Sequence, residues 1–277
     1  MRVVVHPSPA AFLDRASGYL EQNEAENNLI LGVMSNMHKT PSRLPEGAYM
    51  ATVEDGDVIV GAAMMTPPRP IVVTRAPLPV LVALADDLDA RAIALPGCNG
   101  VDRTSDAFST LWCERHGKTR RIHMTMGAYQ LDTIIEPEPP PGAMRMANGG
   151  DASTLSRWAL GFFTDVGLEN EADDGIVKRL TDAEQLFVWE HDGALESMAA
   201  HQGDTPNGAR ISLVYTPKEH RGKGLASATV AALCKRLLAA GKKFCFLFAD
   251  SHNPTSNKIY RRIGFRYVCE FRLYAFE

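Results

Sequence analysis

Apolar and polar positions along the chain fall into two similar series. Residues 49–65, "YMATVEDGDVIVGAAMM", and residues 185–200, "QLFVWEHDGALESMAA", each set apolar runs on both sides of an acidic Asp-Gly turn. Glycine supplies the positive φ that tight hairpin turns need, so each stretch predicts a β-hairpin. Each half later carries a strand, an Asn-containing turn and a helix ending in glycine, at residues 93–117 and 244–265. Within the second of these, "FCFLFAD" (244–250) is a continuous apolar run, as expected of a strand buried on both faces. The repetition suggests a diverged internal duplication.

Between hairpin and Asn turn the halves part company. Residues 209–243, "ARISLVYTPKEHRGKGLASATVAALCKRLLAAGKK", read as a strand, a glycine turn and an amphipathic helix. Leu225, Val230, Leu233, Cys234, Leu237 and Leu238 recur at three- and four-residue steps on that helix, and Gly241 with Lys242 marks its stop. The first half has "IVVTRAPLPVLVALADDLDARA" (71–92) instead, a strand and a helix joined by prolines with no glycine. Residues 134–145, "IIEPEPPPGAMR", exclude helix and interior strand, which predicts domains at 1–135 and 146–277 with a linker at 136–145.

Composition narrows the classes. With 277 residues, 45% hydrophobic and 22% charged, the chain has room for two globular domains, and its net charge of -4 gives no reason to expect nucleic acid as a partner. The first residues lack a secretory pattern and no run approaches 18 apolar residues, so no membrane segment is expected and the cytoplasm is the expected location. Five scattered cysteines without a CxxC pair argue against disulfides and against a metal site. Oligomeric state is not legible.

The chemistry concentrates at "HRGKGLA", residues 220–226. The first N–H groups of a helix lack partners and carry partial positive charge; two glycines let an anion approach them, and Arg221 and Lys223 add formal charge. The alternative is a surface turn with solvated cations. A P-loop is excluded because Gly222-Lys223 is followed by Gly224 rather than Ser or Thr.

Arg221-x-x-Gly224-x-Ala226 after "SLVYTP", followed by "DSHNPTSNKIYRRIGFRYV", resembles the acyl-CoA-binding region of the GNAT acetyltransferase superfamily over roughly residues 145–277. The resemblance implies an α/β fold of two GNAT-like lobes, each a mixed, mostly antiparallel sheet flanked by helices, the first lobe a degenerate copy. It implies acetyl-CoA as co-substrate, with the backbone of Val214, Tyr215 and Thr216 on the pantetheine arm. The pyrophosphate would lie on the turn of Arg221, Gly222, Lys223, Gly224, Leu225 and Ala226, with further contacts from Asn253 and Ser256. Asn253 before Pro254 also reads simply as a helix N-cap.

Acyl transfer from a thioester needs a neutral amine, a stabilised oxyanion and a proton for the departing thiolate. The family often places a tyrosine where Tyr260 stands, which makes it the candidate acid; packing beside Ile259 and Phe265 is the plainer reading. Glu190, Glu196 and His201 are candidate bases, none distinguished from ordinary surface charge. The acidic stretch 156–174 would suit a cationic acceptor. The expected function is N-acetyl transfer to a primary amine of a small molecule or amino acid. A glycine N-acyltransferase-like enzyme using longer acyl-CoA, or a non-catalytic acyl-CoA-binding module, are the alternatives.

Overall fold

Both Asp-Gly hairpins form where the alternation places them. In the computed structural model, which describes residues 1–168, 173, 175–251 and 253–277, β2 (Tyr49–Asp55) and β3 (Val58–Met65) pair antiparallel and turn through Gly56 at φ +61°. The chain divides into two compact units, Met1–Ala128 with Val268–Glu277, and Tyr129–Tyr267. The division lies inside strands and differs from the proline boundary: the last ten residues belong to the first unit.

The first unit carries β1 (Arg2–Val5), α1 (Pro9–Leu20), α2 (Asn28–Lys39), β2, β3, β4 (Ile71–Val73), α3 (Leu78–Ala90), β5 (Gly97–Val101), α4 (Asp102–His116) and most of β6 (Arg120–Leu131). Its sheet runs β1-β2-β3-β4-β5-β12-β6, where β12 is Arg266–Phe276. Successive strand residues face opposite sides. Val72 therefore joins Phe12, Leu20, Ile30, Leu31 and Met34 of α1 and α2, while Ile71 and Val73 join Val80, Leu81 and Leu84 of α3 and Phe108 and Trp112 of α4. Each such side chain contributes about 1.5–3 kcal/mol by leaving water. Gly97 is required for close approach, because a Cβ there would stand 2.0 Å from the Tyr274 carbonyl oxygen of β12. Asn99, expected in a turn, lies inside β5 with α4 following directly, so this part of the suspected duplication does not correspond to Asn253.

The second unit carries β7 (Ala143–Met146), α5 (Ala152–Asp165), α6 (Ile176–Asp182), β8 (Leu186–His191), β9 (Ala194–His201), β10 (Gly208–Tyr215), α7 (Leu225–Ala239), β11 (Phe244–Asp250) and α8 (Pro254–Arg262). Its strands run β6-β11-β10-β9-β8-β7, with Tyr129–Leu131 of β6 at one end. The expected linker ends early, because residues 143–145 form β7; an edge strand tolerates the proline run before it since it pairs on one side only. Asp192 (φ +49°) and Gly193 (φ +76°) make the hairpin turn. Val230, Leu233, Cys234 and Leu237 of α7 pack on one face of the sheet, and Leu155, Trp158, Val177 and Leu180 of α5 and α6 on the other. Helix α7 stops as expected: Gly241 adopts φ +99°, and the N–H groups of Gly241 and Lys242 donate back to Leu238 and Leu237 at 3.1 and 3.2 Å. Each unit is thus a mixed, mostly antiparallel sheet between helical layers. Among the described residues no helix is long and apolar enough to cross a membrane.

Candidate active site

Strand β10 is the element that opens the site. It pairs parallel with β11 through Gly208–Arg210 and Phe244–Phe246, and the paired register goes no further among the described residues. Beyond that point β10 bulges: Leu213 and Val214 together oppose Ala199, and Leu213 sits at φ +50° although its side chain is buried. A bulge leaves a residue outside the ladder and bends the strand. The result is a cleft of about 820 Å³, within the usual range of about 300–1,000 Å³ for small-molecule sites.

Val214, Tyr215, Thr216, Arg221, Gly222, Gly224, Leu225, Ala226, Asn253, Ser256 and Tyr260 all line this cleft. Lys223 is the one residue of the expected site that does not; it is exposed nearby. Gly222 (φ +82°) and Gly224 (φ +80°) carry the turn into α7, and a Cβ at either would meet nothing within 4 Å. Backbone conformation, not crowding, requires glycine here. Gly224 caps α7 without a side-chain hydrogen bond, and among the described residues no side chain accepts from the helix's first amides.

Arg221 is more constrained than a free phosphate ligand. Its guanidinium donates to Asp165 Oδ2 at 2.6 Å and to the Thr216 carbonyl at 2.9 Å, and lies 5.7 Å from the centre of the Tyr215 ring. Gly161 makes room for that ring, since a Cβ there would stand 2.6 Å from Tyr215 Oη. Asn253 is the N-cap of α8: its Oδ1 accepts the Ser256 N–H at 3.1 Å.

Tyr260 is half-buried and packs edge-on against Phe265 with ring centres 5.8 Å apart. Its hydroxyl has no hydrogen-bond partner among the described residues. Burial, reinforced by the Cys234 thiol, pushes the phenol up to about 12. The phenol therefore holds its proton at any ordinary pH.

The candidate bases do not gather at this cleft. Glu190 is bound to Arg145 at 2.5 Å and His201 to Asp204 at 3.2 Å, and neither lines it. Glu196 lies 3.7 Å from Nδ1 of His220, a cleft residue whose Nδ1 is buried without a hydrogen bond. Phe162, Asp165 and Val166 at the end of α5 also line the cleft; of the acidic stretch expected to face an acceptor, residues 169–172 and 174 lie outside the described residues. Among the described residues no cluster of His, Cys, Asp or Glu could hold a metal ion.

Sheet, bulge and glycine turn together define a GNAT fold. Over 100% of this chain and 99% of the other, an acetyltransferase of the GNAT family from Colwellia psychrerythraea superposes with a TM-score of 0.58 at 15% identity. A tandem GNAT protein from the clavulanic acid biosynthesis pathway gives 0.56 at 14% identity, covering 100% and 98%. Residues 191–273 match the FR47-like protein family. A mycothiol acetyltransferase from Corynebacterium aurimucosum is 28% identical over 102 residues, 34% of this chain and 34% of that protein, so the match spans about a third of the curated relative. The chain thus has the fold of GNAT proteins, and its residues 191–273 are similar to the FR47-like family.

Proposed function

We propose that the protein transfers an acetyl group from acetyl-CoA to a primary amine of a small molecule or amino acid. One observation carries the reading: a single cleft joins the parted ends of β10 and β11, the uncapped start of α7 and the hydroxyl of Tyr260, which has no hydrogen-bond partner among the described residues. These features suit the parts of acyl-CoA in order. The bulged backbone at Val214, Tyr215 and Thr216 suits an extended pantetheine, whose amides add to a strand edge. The amides from Arg221 to Ala226 suit the pyrophosphate, with the exposed Lys223 adding charge from outside the cleft. Asn253 and Ser256 flank the same path. The acetyltransferase relative supports acetyl as the acyl group.

The chemistry follows from placement. The amine nitrogen attacks the thioester carbon, backbone N–H groups at the bulge stabilise the oxyanion, and the C–S bond breaks as Tyr260 gives its proton to the sulfur. Water then reprotonates the phenolate, and the amine's surplus proton leaves to solvent. No dedicated base is required for an α-amine of pKa about 7.7–8.0, which is partly neutral near pH 7. The test is a panel of amines and amino acids with acetyl-CoA, read by free thiol and by product mass. An acetylated product together with released thiol is expected for at least one amine class; thiol release with no acylated product across the panel would contradict transfer to an amine.

A further inference from the structure

Among the described residues that line the cleft, His220 is the one imidazole, the side chain that exchanges a proton near neutral pH. Three other cleft groups are committed: Asp165 is bound by Arg221 at 2.6 Å, Asp250 has an interaction of its own and Tyr260 keeps its proton. The two ring nitrogens of His220 differ. Nδ1 is buried without a hydrogen bond and lies 3.7 Å from Glu196 Oε1, the ion-pair partner that Glu196 has among the described residues. Nε2 is neither enclosed nor hydrogen-bonded among the described residues, so it is open to solvent on a half-buried side chain that lines the cleft. A buried nitrogen without a partner is costly, and a shift of about half an ångström would let an Nδ1–H donate to the carboxylate. Glu196 therefore favours the proton on Nδ1, leaves the lone pair on Nε2 and stabilises the ring once both nitrogens are protonated. The sheet adds direction. Side chains alternate along β9, and Glu196 shares its side with Met198 and Ala200, which pack with Leu155, Trp158 and Val177 of α5 and α6. Tyr260 packs on the other side, against the core that Leu233 and Cys234 of α7 build. A thioester lying between the parted ends of β10 and β11 would have Glu196 and His220 toward one side and Tyr260 toward the other.

We propose that His220 is the general base of the acetyl transfer and that Glu196 is the residue that positions it. The inference rests on the acyl-transfer reading above. An α-amine arrives partly neutral without help, and His220 acts on the proton that is surplus after attack. As the amine nitrogen bonds to the thioester carbon, one of its N–H bonds breaks and the lone pair of Nε2 takes the proton. The imidazolium faces the Glu196 carboxylate and afterwards gives that proton to solvent. The C–S bond breaks with the proton from Tyr260, so each side of the gap moves one proton.

The variants His220→Ala and Glu196→Gln of the full chain test this, with acetyl-CoA and an amine that the panel shows to be acetylated. In His220→Ala kcat should fall about ten- to a hundredfold, the low end for a proton-transfer group because water can substitute, while calorimetric affinity for acetyl-CoA stays within about threefold. Glu196→Gln should cost about tenfold in kcat, and the double variant should be no slower than His220→Ala, because Glu196 acts through the ring. Added imidazole should restore much of kcat in His220→Ala, and the less basic 1,2,4-triazole should restore less; a gap filled for packing alone would respond to both alike. His220→Gln, which keeps a polar side chain of similar size, should show the same loss of kcat if His220→Ala fails to fold. Unchanged kcat in a folded His220 variant, losses that add in the double variant, or equal rescue by the two azoles would overturn the assignment while leaving acyl transfer intact. If the wild type acetylates no amine of the panel, the transfer reading itself falls.

Discussion

The junction after β4 and the junction after β10 occupy the same place in their sheets and have opposite chemistry. Each strand runs parallel to its neighbour, Ile71–Val73 beside Cys98–Gly100 and Gly208–Arg210 beside Phe244–Phe246, and each leads into a helix. In the first unit side chains close the junction. Thr74 Oγ1 accepts the Ala62 N–H at 2.9 Å and lies 3.3 Å from Tyr19 Oη, while Arg75 is held by Glu26 at 2.9 Å. Pro77 caps α3 and Pro79 stands in its first turn, removing amides an anion would need. Gly61 admits α3 tightly, since a Cβ there would meet Val80 Cγ1 at 2.6 Å. In the second unit two positive-φ glycines leave the start of α7 uncapped beside a cleft. One strand–helix frame is thus closed by packed side chains or left open beside a cleft according to a handful of residues at its turn.

Tyr260→Phe should produce the largest change. The ring and its contact with Phe265 persist, so binding should hold while kcat falls roughly ten- to ten-thousandfold, the range for a positioned proton donor. The deficit should narrow with acyl donors whose leaving thiol is more acidic; a constant deficit would assign the hydroxyl to positioning instead. Next in size is the turn: Gly224→Val forces a β-branched residue to φ +80° and narrows the approach to the amides, and should weaken acetyl-CoA binding about a hundredfold by calorimetry. Lys223→Ala, which removes an exposed charge outside the cleft, should cost about twofold. Similar small losses in both variants would remove the glycines from the site.

The pH profile sharpens the same contrast. Burial raises the Tyr260 pKa to about 12, so the proton-bearing form persists upward in pH. From about pH 8 to about pH 10 kcat should stay level or rise as the amine loses its proton. A decline in that window, absent from Tyr260→Phe, would contradict a buried phenol as donor. The smallest effect belongs to the first unit. Glu26→Gln breaks the ion pair with Arg75, an exposed cation, and should change stability by under about 1 kcal/mol and leave acetyl-CoA affinity within about twofold.

Much of this contrast was legible in residue types. Glycines against prolines after two similar strands marked which junction could bind an anion, and the Asp-Gly turns, the stop at Gly241 and the Asn253 cap follow from local backbone chemistry. What escaped the sequence is tertiary. Leucine has no preference for positive φ, so nothing announces the bulge at Leu213 that parts the strands. Asp165 is distant in sequence from Arg221, and only the fold brings them to 2.6 Å. Asn99 and Asn253 look alike in sequence, yet one continues a strand and the other caps a helix. The last ten residues carry no mark of the unit they join, because a strand's alternation does not name its partner.

The central claim is that one of the two junctions, the glycine one, binds acyl-CoA. Calorimetric titration of the wild type and of Gly224→Val with acetyl-CoA measures both number and place of sites. One acetyl-CoA per chain is expected, with binding lost or greatly weakened in a folded Gly224→Val variant. Two per chain, or a single site that Gly224→Val leaves at wild-type affinity, would contradict the account.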